Sequence, residues 1–246
     1  MDKTPDLVVR YLGHSAFMLR SSAGTRLLLD PFDNEEDAAP WFTHPFPQVQ
    51  CDLLAMTHGH FDHSAEHRVT VVGDTLRSPG EISMGDVSVR GIADVHARGG
   101  GDNMIVVVEA AEARFVHIGD NRAEIPDEIV DEMGAVDMLA LHVDDTRYFL
   151  EFEDVDRVIK AFRPGVVVPI HYRHPKISTE TTEVGPCDEW LATQNHVKRM
   201  QGEVSLDRKA FPEEAEIWVL EPMPGPSTGP VVVGSEPAEP EPSESD

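Results

Sequence analysis

The sequence predicts a layered mixed α/β domain, and three observations carry the prediction. Its first half breaks into short apolar runs punctuated by glycine, the signature of strands and tight turns. In its second half such runs alternate with segments whose apolar residues recur at helical spacing. The chain has 246 residues, 40% of them hydrophobic and 26% charged, which suits a protein able to bury one sizeable core.

Taken in order, residues 7–12, 16–19 and 27–29 read as strands, with turns at Gly13 and across 21–24. Residues 31–50 hold four prolines among acids and aromatics and read as an ordered loop. A buried strand is expected at 52–56, and further strands at 69–72, 87–92, 104–109 and 114–118. In 124–133 the residues Ile125, Ile129 and Met133 recur every four positions between Pro126 and Gly134, a helix signalled at both ends. A strand at 137–141 follows. Phe152, Val155, Ile159 and Phe162 mark one face of a second helix, stopped by Arg163-Pro164-Gly165, and 166–170 is a wholly apolar strand. A third helix at 189–200 and a last strand at 216–220 complete a domain placed at 1–221. Residues 222–246 carry seven prolines, five acids and no base, so they bury too little apolar surface to offset their ordering entropy and read as a disordered acidic tail.

The formal charge of −25, from 45 acids against 20 bases, excludes broad electrostatic binding to nucleic acid or to an anionic membrane. Two cysteines, Cys51 and Cys187, are too few for a disulfide framework or a thiolate zinc site and fit a reducing compartment. No basic start precedes an apolar stretch, and no apolar run approaches the roughly 20 residues needed to span a bilayer. A cytoplasmic protein is the expectation.

The chemistry concentrates after the strand at 52–56, where Thr57-His58-Gly59-His60-Phe61-Asp62-His63-Ser64 offers three imidazoles and a carboxylate. These are the nitrogen and oxygen ligands that zinc and its neighbours prefer. Residues two apart in an extended segment project to the same side, so His58 and His60 can grip one ion while Asp62 and His63 face a second. Asp120 and His171 each follow a strand, at the position where α/β proteins place their chemistry.

Thr57 to His63 carries the T-H-x-H-x-D-H signature and resembles the metallo-β-lactamase-fold hydrolases. The chain looks most like their ascorbate-6-phosphate lactonase-like branch. Tyr11-Leu12-Gly13-His14-Ser15-Ala16-Phe17, Leu29-Asp30-Pro31, Val116-His117-Ile118-Gly119-Asp120 and Val168-Pro169-Ile170-His171-Tyr172 are similar to that branch in the same order, over about residues 7–220. The resemblance implies a four-layer αββα sandwich with metals at one edge. It matches His58, His60 and His96 to a first metal, Asp62, His63 and His171 to a second, and Asp120 to the carboxylate bridging both. His117 rivals His96 for the third first-metal position, although as a strand residue it better suits a supporting role beside a ligand. His14 reads either as a site residue or as a turn residue capping its own backbone. Tyr172 and Arg173 either hold a substrate oxyanion or brace their loop. The segment His142-Val143-Asp144-Asp145-Thr146-Arg147 departs from the family, which puts the substrate pocket in doubt: His142 is a candidate substrate contact, and His142 or Asp144 could alter the metal shell. His44, His67, His174 and His196 read as surface or loop residues.

Two divalent ions about 3.5 to 4 Å apart acidify a bound water toward neutrality. Zinc leads, with manganese and iron also suited to such ligands. Asp62 and Asp120 are the catalytic carboxylates, Asp62 orienting the attacking water. The expectation is thus a binuclear metallo-hydrolase of a small anionic ester, lactone or phosphoester. A phosphodiesterase or RNA-processing nuclease of the same superfamily is the enzymatic alternative, and a metal-stabilised binding protein the non-catalytic one. Strand edges of such sandwiches also leave a homo-oligomer open.

Overall fold

The computed structural model describes residues 7–144, 146, 150–206, 211–212 and 214–223. β1 (Leu7–Gly13) and β2 (Ala16–Ser21) form an antiparallel hairpin, and β3 (Arg26–Leu29) pairs with the far side of β2. β4 (Val49–Cys51) stands outside that sheet and pairs only with β6 (Val69–Val71). β5 (Leu53–Ala55) and β7 (Thr75–Leu76) extend the first sheet at one edge. The second sheet begins with β8 (Gly80–Met84), β9 (Val87–Val95), β10 (Asp102–Ala110) and β11 (Ala113–His117), an antiparallel meander. It continues in parallel through β12 (Met138–His142), β13 (Val166–Ile170), β14 (Val197–Met200) and β16 (Glu216–Leu220), while β15 (Glu203–Leu206) returns to pair with β1. The six-stranded order is β15-β1-β2-β3-β5-β7, and the eight-stranded order is β14-β16-β13-β12-β11-β10-β9-β8.

Strand alternation assigns each sheet two faces. Val9, Tyr11, Phe17, Leu27 and Leu53 from the first sheet meet Val106, Phe115, Ala140 and Val168 from the second in one buried layer. The intervening residues Ile105, Val107, Leu139 and Val167 point outward, where α1 (Asp127–Met133), α2 (Phe152–Phe162) and α3 (Asp188–Thr193) cover them with Met133, Val155 and Trp190. The sandwich is as expected, but its other flank differs. Over the six-stranded sheet the outer layer comes from the loop 31–50 and the β4–β6 ribbon, whose Phe32, Phe42, Phe46 and Cys51 bury Leu12, Leu28 and Leu54. Among the described residues no α-helix lies on that side.

Two expected helices change, and several short strands are added. The first helix begins at Asp127, because Pro126 has an extended ψ of 142° and cannot open the turn earlier. The third ends at Thr193; His196 has φ +56°, and the chain then lies along the edge of β16 as β14 instead of continuing the helix to 200. β4, β7, β8, β14 and β15 are short, and several lie at sheet edges, where no apolar alternation marks them. Met223 donates its amide to the Tyr11 carbonyl and accepts from Arg10, so described residues pack on the domain up to 223. The remainder of the expected tail, 224–246, lies outside the described residues. Cys51 and Cys187 are free and buried. No helix among the described residues is long and apolar enough to cross a membrane.

Candidate metal centre

β1, β3 and β5 run parallel in the first sheet, as β9, β11, β12 and β13 do in the second, and the residues just past their C-terminal ends meet at one edge of the sandwich. His14 follows β1, Asp30 follows β3 and Thr57–His63 follow β5. His96, Asp120, Asp144 and His171 follow β9, β11, β12 and β13. The turn carrying Asp120 needs Gly119, at φ +59°, since a Cβ there would lie 2.6 Å from the Thr57 side chain.

The converging side chains form two donor groups. His58, His60, His96 and Asp120 make one, and His14, Asp62, His63 and His171 the other, with donor atoms in each within 4.8 Å of one another. Asp120 joins them: its Oδ2 is 3.9 Å from His58 Nε2, 3.5 Å from His96 Nε2 and 3.4 Å from His171 Nε2, and its Oδ1 is 3.3 Å from His63 Nε2. His63 Nε2 and Asp120 Oδ1 are buried without a hydrogen-bond partner among the described residues, although they face each other. Buried polar atoms left in this way are costly unless something binds them. A divalent cation held by these residues would satisfy both atoms, so the residues present fit the group that the sequence implies.

Supporting side chains fix which ring nitrogen faces inward. Asp30 accepts from the Thr57 amide at 2.7 Å, the Thr57 hydroxyl at 2.6 Å and His63 Nδ1–H at 2.7 Å. With its proton given to Asp30, the Thr57 hydroxyl accepts from His58 Nδ1–H at 3.1 Å. Both rings therefore turn Nε2 toward the centre, and His171 does likewise with Nδ1 3.3 Å from Asp144. His96 differs: the Arg98 amide donates to its Nδ1 at 2.9 Å, so a cation at Nε2 requires that amide to release the ring. His117 uses both nitrogens, accepting from the Gly119 amide at Nδ1 and donating from Nε2 to the Ser15 carbonyl at 2.8 Å. It has no lone pair for a metal and braces the first hairpin against β11. Accordingly His117→Gln is expected to keep the cation stoichiometry of the wild type and His96→Ala to lower it, as read by elemental mass spectrometry.

Charge separates cleanly in this edge. Burial pushes the Asp120 carboxyl up, but His171 and His63 outweigh it and hold the group well below the usual carboxylate range; His63, His14 and His171 do the same at Asp62. Burial opposes protonation of His171, yet Asp120, Asp144 and Asp62 raise it to about 10, and Asp120 and Asp62 likewise raise His63. At His58 burial dominates and lowers the ring to about 3, and at His14 to about 4. In the cation-free protein, protons on His63 and His171 thus balance the two carboxylates, and Asp30 ensures that the proton a cation displaces from His63 is the one on Nε2.

A cleft of about 500 Å³ opens on His60, Asp62, His96 and Asp120. Trp41 and Phe61, their rings 5.1 Å apart and edge to face, form its apolar wall, and Arg98, Glu35 and Glu183 its charged rim. Three expected substrate contacts lie elsewhere. Tyr172 is buried in the outer apolar layer with Cys187 and Trp190, and Arg173 points to solvent, because His171 has φ +57° and turns the chain away from the cleft. His142 is fully buried and donates Nδ1–H to the Gly119 carbonyl at 2.9 Å, supporting the Asp120 turn from behind. Asp145 and Arg147 lie outside the described residues. His174 lies in a loop and is buried there against Tyr172, accepting the Lys176 amide. His67 pairs with Asp33 at 2.9 Å, and His44 and His196 are exposed. Asp30 was not among the residues expected to serve the site; a strand-end Asp before proline was its available signal.

Residues 8–171 match the family described as "Beta-lactamase superfamily domain". The UPF0173 metal-dependent hydrolase TTHA1283 of Thermus thermophilus is 31% identical over 191 residues, covering 67% of this chain and 83% of the relative. A UPF0173 metal-dependent hydrolase of Methanosarcina mazei is 25% identical over 198 residues, covering 68% and 84%. Among solved structures, a Thermotoga maritima protein of the metallo-β-lactamase superfamily superposes with a TM-score of 0.69 at 24% identity, over 87% of this chain and 98% of the other. Igni18, a metallo hydrolase of Ignicoccus hospitalis, superposes with a TM-score of 0.57 at 18% identity, over 88% and 95%. These structural likenesses bear on the sandwich itself. The chain belongs to the metallo-β-lactamase superfamily and, within it, to the UPF0173 family of metal-dependent hydrolases.

Proposed function

We propose that this metal-dependent hydrolase uses a two-cation centre on a small ester, lactone or phosphoester. One observation carries the reading: two donor groups share Asp120 and open on a cleft of small-molecule size. His58, His60 and His96 would hold one cation, Asp62, His63 and His171 the other, and Asp120 both. When bound, the cations supply Lewis acidity and bring a water's pKa toward neutrality. Zinc suits this histidine-rich set, as do manganese and iron.

The chain's own groups do the rest. Asp62, which borders the cleft, accepts a hydrogen bond from the attacking water and aims it. Trp41 and Phe61 pack the apolar part of the substrate and exclude water, which strengthens the electrostatics of the site. Arg98 meets an anionic substituent, whereas Glu35 and Glu183 repel a highly charged one. A singly charged lactone or ester fits this rim better than a polyanion such as ascorbate-6-phosphate, so the lactonase-like reading extends to the ring-opening chemistry rather than to that substrate. Those glutamates and the charge of −25 also disfavour a nuclease. A cytoplasmic enzyme of small metabolites agrees with two free, buried cysteines.

The test loads purified protein with zinc, manganese or iron and compares a panel of lactones and aryl esters with bis-p-nitrophenyl phosphate. Turnover of a lactone or ester that a chelator abolishes is expected. Turnover of the phosphodiester alone moves the assignment to the phosphodiesterase side, and two bound cations with no turnover of any substrate to a binding protein.

A further inference from the structure

We propose that His14 is a fourth protein side chain dedicated to the second cation, so that this site is built from His14, Asp62, His63 and His171 together with the shared Asp120. The inference rests on the two-cation reading above and adds to it a residue from the first hairpin.

Four observations carry it. His14 Nε2 lies 3.0 Å from Asp62 Oδ2 and belongs to the same group of mutually close donor atoms as His63 and His171. The residue is buried, and among the described residues its ring makes no hydrogen bond to the backbone of its own turn, so it is not a turn cap. Its backbone adopts φ +54°, which residues bearing a Cβ seldom do, and the turn is pinned there: the His14 carbonyl accepts from the Tyr11 hydroxyl at 2.9 Å and from the His171 amide at 3.0 Å. The ring is then clamped between His171, at 4.2 Å between centroids, and Phe42, at 5.0 Å. Such a conformation, held by a ligand's own amide, aims one nitrogen at one point.

Asp62 Oδ2 is ringed by three imidazole nitrogens, at 3.0 Å from His14, 3.2 Å from His171 and 3.6 Å from His63. Asp30 and Asp144 hold the outer protons of His63 and His171, so those rings present lone pairs to a cation. His14 pairs with no carboxylate at its outer nitrogen among the described residues, and its Nε2 faces Asp62 with the rest of the set. The two sites are then unequal. Three histidines and Asp120 suit tetrahedral zinc, whereas three histidines with Asp62 and Asp120 suit a cation taking five or six ligands, such as manganese or ferrous iron.

The test compares wild type with His14→Asn, since asparagine tolerates the left-handed backbone. Cation affinities are measured by chelator competition, and the cobalt-loaded proteins by proton NMR, in which each protected, coordinated imidazole gives a shifted exchangeable N–H resonance. His14→Asn is expected to lose one such resonance, to bind its second cation more weakly by more than the about 10–100-fold typical of a lost supporting hydrogen bond, and to keep the first site unchanged. An unchanged resonance count with a smaller loss of affinity overturns the assignment. So does full recovery in His14→Gln, which keeps an N–H donor toward Asp62 but is a poor ligand. A wild type that takes fewer than two cations overturns the two-cation reading itself, whatever His14 does.

Discussion

Replacing Asp120 by alanine is expected to take the protein from two bound cations to one or none and to lower turnover by at least about 10³-fold. Asp120 lies within 4 Å of His58 and His96 of one donor group and of His63 and His171 of the other. Stability of the cation-free variant should change with pH in a defined sense. His171 titrates near 10 in the folded protein, partly because Asp120 faces it, so its protonation stabilises the fold fully below about pH 6.5, the ordinary histidine value, and progressively less up to 10. Asp120 is depressed, so its contribution is present above about pH 4 and lost in acid. The deficit of Asp120→Ala relative to wild type is therefore largest between about pH 4 and 6.5 and shrinks toward 10, measured by denaturant unfolding in chelator. A deficit independent of pH, with two cations still bound, removes Asp120 from its shared role.

Asp30→Asn should weaken cation binding by about 10–100-fold while leaving the fold intact. Asparagine tolerates the φ of +42° at this position and still accepts from the Thr57 amide. An amide NH2 in place of Oδ2, however, cannot accept from His63 Nδ1–H or the Thr57 hydroxyl. His63 then moves its proton to Nε2, the nitrogen a cation needs, and the hydroxyl loses the partner that oriented it for His58. Chelator competition reads the affinity, and the melting temperature of the cation-free protein reads the fold. Wild-type affinity in this variant would reduce Asp30 to a brace at the end of β3.

What the sequence shows of this protein is what local spacing and periodicity encode. The run from His58 to His63 is legible because its residues sit within one turn of chain, and Asp120 and His171 because each ends an apolar strand. Asp30 acts on Thr57 and His63 across the parallel pairing of β3 with β5, and no one-dimensional pattern reports a neighbour strand. His14 is ambiguous in sequence since a turn histidine and a ligand look alike until the fold shows what faces it. Tyr172 and Arg173 illustrate the converse: adjacency to His171 in the chain places neither in the cleft once the backbone reverses at φ +57°. Trp41 comes from a proline-rich loop with no periodicity at all, yet it forms a wall of the cleft. The helix expected across 189–200 fails for a related reason, because the edge of β16 offers hydrogen bonds that only an extended segment can use.

The parallel strand ends that deliver these donors also tie the centre to the order in which the molecule is made. Its groups come from both sheets, from residue 14 in the first turn to residue 171 beyond β13, so no nascent fragment ending before β13 possesses the whole set. Cation capture must follow closure of the longest-range contacts, the slow and entropically expensive part of folding a β-rich chain. A cation held by these groups would act as a clasp across the two sheets, and free cation would then raise the unfolding free energy logarithmically with its concentration. Withdrawal of metal would then expose the protein to unfolding and proteolysis as well as silencing it, making its abundance a readout of the metal supply around it.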